Sequence, residues 1–197
     1  EAMQIVEQRE HARQSAATAS ILSANRDLFE NDPNAPVLGN PDGDVTVIEF
    51  FDYNCPYCRR VKPHIEALLA EDPNIKLVYR EWPILGDGSV FAARAALASR
   101  EQGIYEEFHW AMMGMQGRAE APAIMRLAEE VGLDVLQLRR DMQAPEIDAH
   151  ISTSMEMSRA FGFNGTPSFV IGNALVPGVI EADQMIQLAK DARAAKQ

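Results

Sequence analysis

The chain has very little cysteine: two residues in 197, Cys55 and Cys58, three positions apart. A fold stapled by disulfides needs more of them, spread along the chain, so that class is excluded. Positive charge is also short, with 18 Lys+Arg against 29 Asp+Glu and a formal net charge of -11. Nucleic acid and anionic membrane surfaces both demand clustered positive charge, so neither is expected as a partner. No apolar run approaches the roughly 20 residues that span a bilayer. The opening Glu1-Ala2-Met3-Gln4 does not read as a secretory signal, and Met3 standing third reads as a processed or trimmed chain. What is present is ordinary for a globular protein: 47% hydrophobic and 24% charged residues.

Residues 1–30 are polar, alanine-rich and free of glycine and proline, which predicts a helical arm. Its apolar stripe is thin, and the best heptad register puts Glu10 and Arg13 at core positions. Two readings stand: an oligomerisation stalk joining copies of the chain, or a helix lying on its own domain or fraying at its end. Residues 31–44 carry Pro33, Pro36, Gly39, Pro41 and Gly43 and mark a boundary. Val45–Phe51 is apolar on both faces, as in a buried central strand. A helix over Pro56–Glu71, kinked at Pro63, and a strand over Ile75–Glu81 complete a β-α-β unit.

From Gly88 to about Phe161 the pattern is helical, with segments at 90–102, 104–113, 121–131, 135–142 and 146–161. Pro122 suits a first helical turn and Asp134 an N-cap. Strands return at Ser168–Ile171 and near Leu175-Val176, joined by a Gly172-Asn173 turn, and a helix over 181–195 closes the chain. The organisation expected is an arm (1–30), an α/β domain in two pieces (36–85 and 163–197), and a helical insertion between them (86–162).

Cys55-Pro56-Tyr57-Cys58 follows the central strand and opens a helix. A thiolate there faces unpaired backbone N–H groups and the positive end of the helix dipole, which lowers its pKa from about 8.5 into a range of roughly 3.5–7.5. Cys58, one turn on, can attack a mixed disulfide formed at Cys55. Pro56 fits the first helical position, where no N–H is needed. The competing readings are weaker. Structural zinc wants four ligands, and only His11, His64, His109 and His150 remain, at no ligand-like spacing. A structural disulfide would close a tiny loop and restrain little chain entropy. No metal is therefore expected.

Glu49 shares a strand face with Val45, Val47 and Phe51. A buried carboxylate there would have a raised pKa and could relay the proton of Cys58; the alternative is a glutamate at the sheet edge reaching solvent. Pro167 stands immediately before a strand, where a missing N–H is tolerated. His64 is expected to be a surface or packing residue, and Trp82 and Trp110 core or interface aromatics.

The stretch Glu49-Phe50-Phe51-Asp52-Tyr53-Asn54-Cys55-Pro56-Tyr57-Cys58, the helix proline Pro63 and Thr166-Pro167 before a strand resemble the DsbA family of bacterial thiol oxidoreductases, and most closely its ScsC-like branch. The resemblance covers about 38–197 and implies a thioredoxin-like α/β fold with a helical insertion. It implies that Cys55 is the exposed attacking sulfur, Cys58 the buried resolving one and Glu49 the buried acid. Pro167 would be a cis-proline facing the pair, with Thr166 offering backbone hydrogen bonds to a substrate strand beside Pro56 and Tyr57. It further implies a periplasmic protein that needs no cofactor beyond its own disulfide. Its partners would be unfolded or misfolded secreted proteins and a membrane redox protein. Strongly oxidising members carry His before the second cysteine; Tyr57 in that place implies a less oxidising pair, leaving oxidase and isomerase both open. A different class is a peptide-binding, chaperone-like module, in which Met112, Met113 and Met115 would hold apolar peptide.

Overall fold

The computed structural model describes residues 2–196; Glu1 and Gln197, the outer limits of the expected arm and closing domain, lie outside them, as do the side chains of residues 2–5, 7, 8, 11, 14 and 15, Ile5 and His11 among them. A five-stranded sheet organises the chain, in the order β1-β3-β2-β4-β5. β2 (Val45–Phe51) and β3 (Ile75–Glu81) are parallel neighbours in the middle, with Glu49 opposite Tyr79. β4 (Ser168–Ile171) runs antiparallel to β2, and β5 (Ala174–Pro177) antiparallel to β4. At the Gly172-Asn173 turn Gly172 has φ +57, and a Cβ there would meet the Ala192 Cβ at 2.5 Å, so only glycine fits.

β2 and β3 occupy the residues expected of them, because both are uninterrupted apolar runs that two covered faces can bury. β1 (Val37–Gly39) was not expected: three residues inside a proline-rich segment become a strand only by pairing antiparallel with β3. α3 (Pro56–Glu71) runs as one helix through Pro63.

The faces of the sheet divide the core. Val45, Val47 and Phe51 of β2 pack with α3 residues Val61, Ile65 and Leu68, and with Met185 and Ala189 of the closing helix α9 (Ala182–Ala194). Ile48 and Phe50 turn to the other face, against Phe29, Val78, Met157 and Phe161. Phe161 bridges two of these rings, tilted against Phe29 with centroids 5.0 Å apart and edge-on to Phe50 at 6.3 Å.

The arm is α1 (Ala2–Ala24) followed, after Asn25, by the short α2 (Arg26–Glu30). Leu22 and Phe29 are buried against the second core, so the end of the arm lies on the domain. The inserted segment comprises α4 (Asp87–Ala98), a 3-10 turn (Ser99–Gln102), α5 (Tyr105–Gly114), α6 (Ala121–Glu130), α7 (Val135–Asp141) and α8 (Pro145–Ala160). Asp134 caps α7, its side chain accepting from the Leu136 and Gln137 N–H groups, and Pro122 sits in the first turn of α6. Phe108, Met112, Ile124 and Leu138 of this segment join the same core as Cys55 and Cys58. Among the described residues no helix is long and apolar enough to cross a membrane.

Candidate active site

β2 delivers the chain to Asp52, and the turn that follows sets Cys55 as the N-cap of α3, in extended conformation (φ -78, ψ 115). The Cys55 N–H donates to the Asp52 carbonyl at 3.0 Å. Pro56 and Tyr57 start the helix and are exposed, Tyr57 by 54%. Cys58 lies one turn inside and is 1% exposed. Both cysteines are free thiols.

One expectation is corrected. Cys55 is not an exposed sulfur: the residue is only 3% exposed, because the loop carrying Thr166 crosses it and the Cys55 Sγ donates to the Thr166 carbonyl at 3.2 Å. The Thr166–Pro167 peptide bond in that loop is cis. The sheet thus brings Cys55, Cys58, Thr166 and Pro167 to one end of β2 and β4, while Pro56 and Tyr57 form the rim.

The two thiols differ sharply in acidity. The Cys58 thiol, hydrogen-bonding to Cys55, brings the latter down to about 6 from an ordinary 9.0; burial opposes this, and Thr166 with the backbone of Cys58 and Tyr57 assists. Burial pushes the Cys58 thiol well above its ordinary value, and its hydrogen bond to Cys55 and the nearby Glu49 charge push it the same way. Near neutral pH the pair therefore consists of a thiolate at Cys55 and a protonated Cys58. Glu49, 2% exposed on the same sheet face, is raised by burial and then by the Cys55 charge to about 8, so it holds a proton at neutral pH.

The turn before Cys55 is held by its own side chains. Asp52, 2% exposed, accepts from the Asn54 N–H with Oδ1 and from the Ile84 and Leu85 N–H groups with Oδ2. Asn54 and Arg59 bond to the helical insertion. None of these three was singled out from the sequence for a role, because the partners that tie them to the rest of the fold lie 32–65 positions away. Other residues fall outside the site. His64 pairs with Glu181 at 3.2 Å on the surface. Trp82 is buried and Trp110 packs on Tyr79 and His109. Met112 and Met113, proposed as a peptide surface in the chaperone-like reading, are 0% and 4% exposed and serve the core instead. Among the described residues no group of three or more His, Cys, Asp or Glu side chains is placed to hold a metal ion.

Known proteins match this geometry. A family model described as the DSBA-like thioredoxin domain matches residues 46–190. The crystal structure of a thioredoxin-like oxidoreductase from Silicibacter pomeroyi DSS-3 is 63% identical, with a TM-score of 0.85 over 86% of this chain and 98% of that one. The thiol-disulfide exchange protein alpha-DsbA2 of Wolbachia pipientis is 28% identical, with a TM-score of 0.84 over 91% of this chain and 97% of that one. The catalytic domain of Proteus mirabilis ScsC is 25% identical, with a TM-score of 0.79 over 88% and 97%. Curated relatives include Na(+)/H(+) antiporters, of which NhaA 3 of Salinispora tropica is 28% identical over 68% of this chain and 21% of its own length. The chain spans only about a fifth to a quarter of the length of such relatives. Its fold, and the match over the whole stretch that carries the cysteines, make this chain a member of the DSBA-like thioredoxin domain family, on the ScsC-like side.

Proposed function

We propose that the chain is a protein thiol–disulfide oxidoreductase that exchanges disulfides with secreted proteins through Cys55 and Cys58. The observation that carries the reading is the split acidity of the pair: a thiolate at the helix N-cap, brought to about 6, beside a Cys58 thiol held protonated by burial. A substrate thiolate attacks the oxidised pair at Cys55, forming a mixed disulfide and releasing Cys58. A second substrate thiolate then displaces Cys55, so that the substrate leaves oxidised and the pair reduced. In the reverse direction the Cys55 thiolate opens a substrate disulfide and Cys58, losing its proton, resolves it. Glu49, mostly protonated at neutral pH because its pKa is about 8, is the group placed to hand a proton to Cys58 as it is released in the forward direction; in the reverse direction its ionised fraction takes that proton back. Substrate would cross the rim of Pro56 and Tyr57 and meet Cys55 beside Thr166 and Pro167. The redox group is the disulfide itself, with no added cofactor. The setting we propose is the periplasm, with a membrane protein restoring the redox state, as the family resemblance implies.

The test is the equilibrium constant of the pair with glutathione, using Cys55→Ser as control. A potential near about -120 mV assigns a dithiol oxidase, and one near about -180 mV or below an isomerase or reductase, the direction expected from Tyr57. Absence of any reversible couple overturns the reading.

A further inference from the structure

The redox motif is bracketed by two residues whose side chains bond to one short loop of the helical insertion. Asn54 precedes Cys55. Its Oδ1 accepts from the Ala119 N–H at 2.7 Å, and its Nδ2 donates to the Ala119 carbonyl at 3.2 Å and to Ser89 Oγ at 3.1 Å. Arg59 follows Cys58. Its Nη1 donates to the Met115 and Gly117 carbonyls at 3.0 and 2.7 Å, and its Nε returns to the Tyr53 carbonyl at 3.0 Å. Its Nη2 is buried with no hydrogen-bond partner among the described residues. The loop between α5 and α6, residues 115–119, is thus fastened on both sides of the cysteines. It is seated closely from behind as well: a Cβ on Gly88 would meet the Ala119 carbonyl at 2.5 Å, and Arg118 Nη2 donates to the Leu85 carbonyl at 3.1 Å.

We propose that loop 115–119, held by Asn54 and Arg59, is a positioning element of the redox pair that shifts its thiol–disulfide equilibrium toward the dithiol. The proposal rests on the redox reading given above. A guanidinium fixed beside the turn is a positive charge that favours thiolate, and therefore the reduced state. Its electrostatic reach runs both ways. Burial, then Arg118, draws the Arg59 guanidinium below its ordinary value, while charge on Asp52, Cys55 and Cys58 opposes them. Three carbonyls hold the group in one orientation, so the loop decides where the charge sits. Asn54 carries no charge and acts only through the geometry of the turn and the loop.

The experiment equilibrates the full chain with reduced and oxidised glutathione, where one protein disulfide and two glutathione thiols exchange for one protein dithiol and one glutathione disulfide. Thiolate absorbance at 240 nm is titrated in parallel, and thermal unfolding checks that each variant folds. Arg59→Met is expected to shift the constant roughly tenfold toward the disulfide, about 30 mV more reducing, and to raise the Cys55 titration. Arg59→Lys restores much of the titration, but less of the equilibrium, because lysine cannot span both loop carbonyls. Asn54→Ala and Gly88→Ala, neither altering charge, shift the constant several-fold in the same direction. Folded Asn54→Ala and Gly88→Ala within twofold of the parent overturn the role of the loop, and Asn54→Ala alone decides if Gly88→Ala does not fold. A parent with no reversible couple sinks the redox reading itself, an outcome separate from a parent that titrates alongside unshifted variants.

Discussion

Glu49 and Glu81 lie on neighbouring parallel strands, 2% and 1% exposed, yet their acidities move in opposite directions. Burial raises both. Glu49 meets little to offset it and, with the Cys55 charge nearby, is lifted to about 8. Glu81 is surrounded by donors: Tyr105 Oη donates to it at 2.7 Å, and His150 Nε2 lies 2.6 Å away. These outweigh the burial and hold its carboxyl below the ordinary value. The chain of contacts continues outward, because Arg80, 0% exposed, faces His150 Nδ1 at 3.4 Å and reaches Asp32 at 2.7 Å and the Leu28 carbonyl at 2.7 Å. One buried carboxyl is thus held below the ordinary carboxylate range by partners that tie α5, α8 and the arm to the sheet. The other keeps its proton at neutral pH, within electrostatic reach of Cys55. Burial sets the size of the electrostatic stakes, and partners set the sign.

The comparison is broken most severely at His150. His150→Leu leaves the Glu81 charge buried and under-partnered, and is expected to cost about 3–5 kcal/mol of stability in urea unfolding. A loss below about 1 kcal/mol would show that Glu81 does not depend on this partner.

Glu49 gives the next effect, with a defined pH signature. Its folded pKa of about 8 lies above the ordinary 4.5, so the native state binds more protons between those values, and its contribution to stability falls as pH rises from 4.5 to 8. Glu49→Gln should therefore gain a few kcal/mol on the parent across that window, with the gap level above it. The same variant should slow resolution of a Cys55 mixed disulfide by Cys58 about 100-fold in stopped flow. An unchanged rate would remove Glu49 from the proton path. Cys55 slopes the other way: its thiol is depressed from 9.0 to about 6, so the reduced protein gains stability from pH 6 to 9, and Cys55→Ser should abolish that gain.

Tyr105→Phe sharpens the comparison by removing one donor from Glu81 while keeping the ring, at an expected cost of about 1–3 kcal/mol. The smallest effect belongs to the surface. Arg193 bonds Asp44 through two nitrogens at 2.6 Å and reaches Asp72, but its side chain is 29% exposed. Arg193→Ala should cost no more than about 1 kcal/mol, and less at high salt. A loss matching that of His150→Leu would contradict the link between burial and magnitude.

Much of this was legible in one dimension. The strand at 45–51, the helix from Pro56 and the strand at 75–81 follow from local apolar runs and a well-placed proline, which act over neighbouring residues only. The shared face of Glu49, Val45, Val47 and Phe51 follows from the two-residue period of a strand. Less was legible in β1, whose three residues have no strand signal of their own, and in the exposure of Cys55, which depends on a loop more than 100 positions away.

By itself the sequence determined the periodic elements and the position of the redox pair at a helix start, because propensity, side-chain period and capping are interactions between near neighbours. The tertiary structure alone decided that Thr166 covers Cys55, that Asn54 and Arg59 grip loop 115–119, and that Glu81 is ionised while Glu49 is not. Each of those outcomes is a matter of which distant donor or charge arrives within a few ångströms, and in a low-dielectric interior that arrival outweighs anything the residue's own neighbours in sequence contribute.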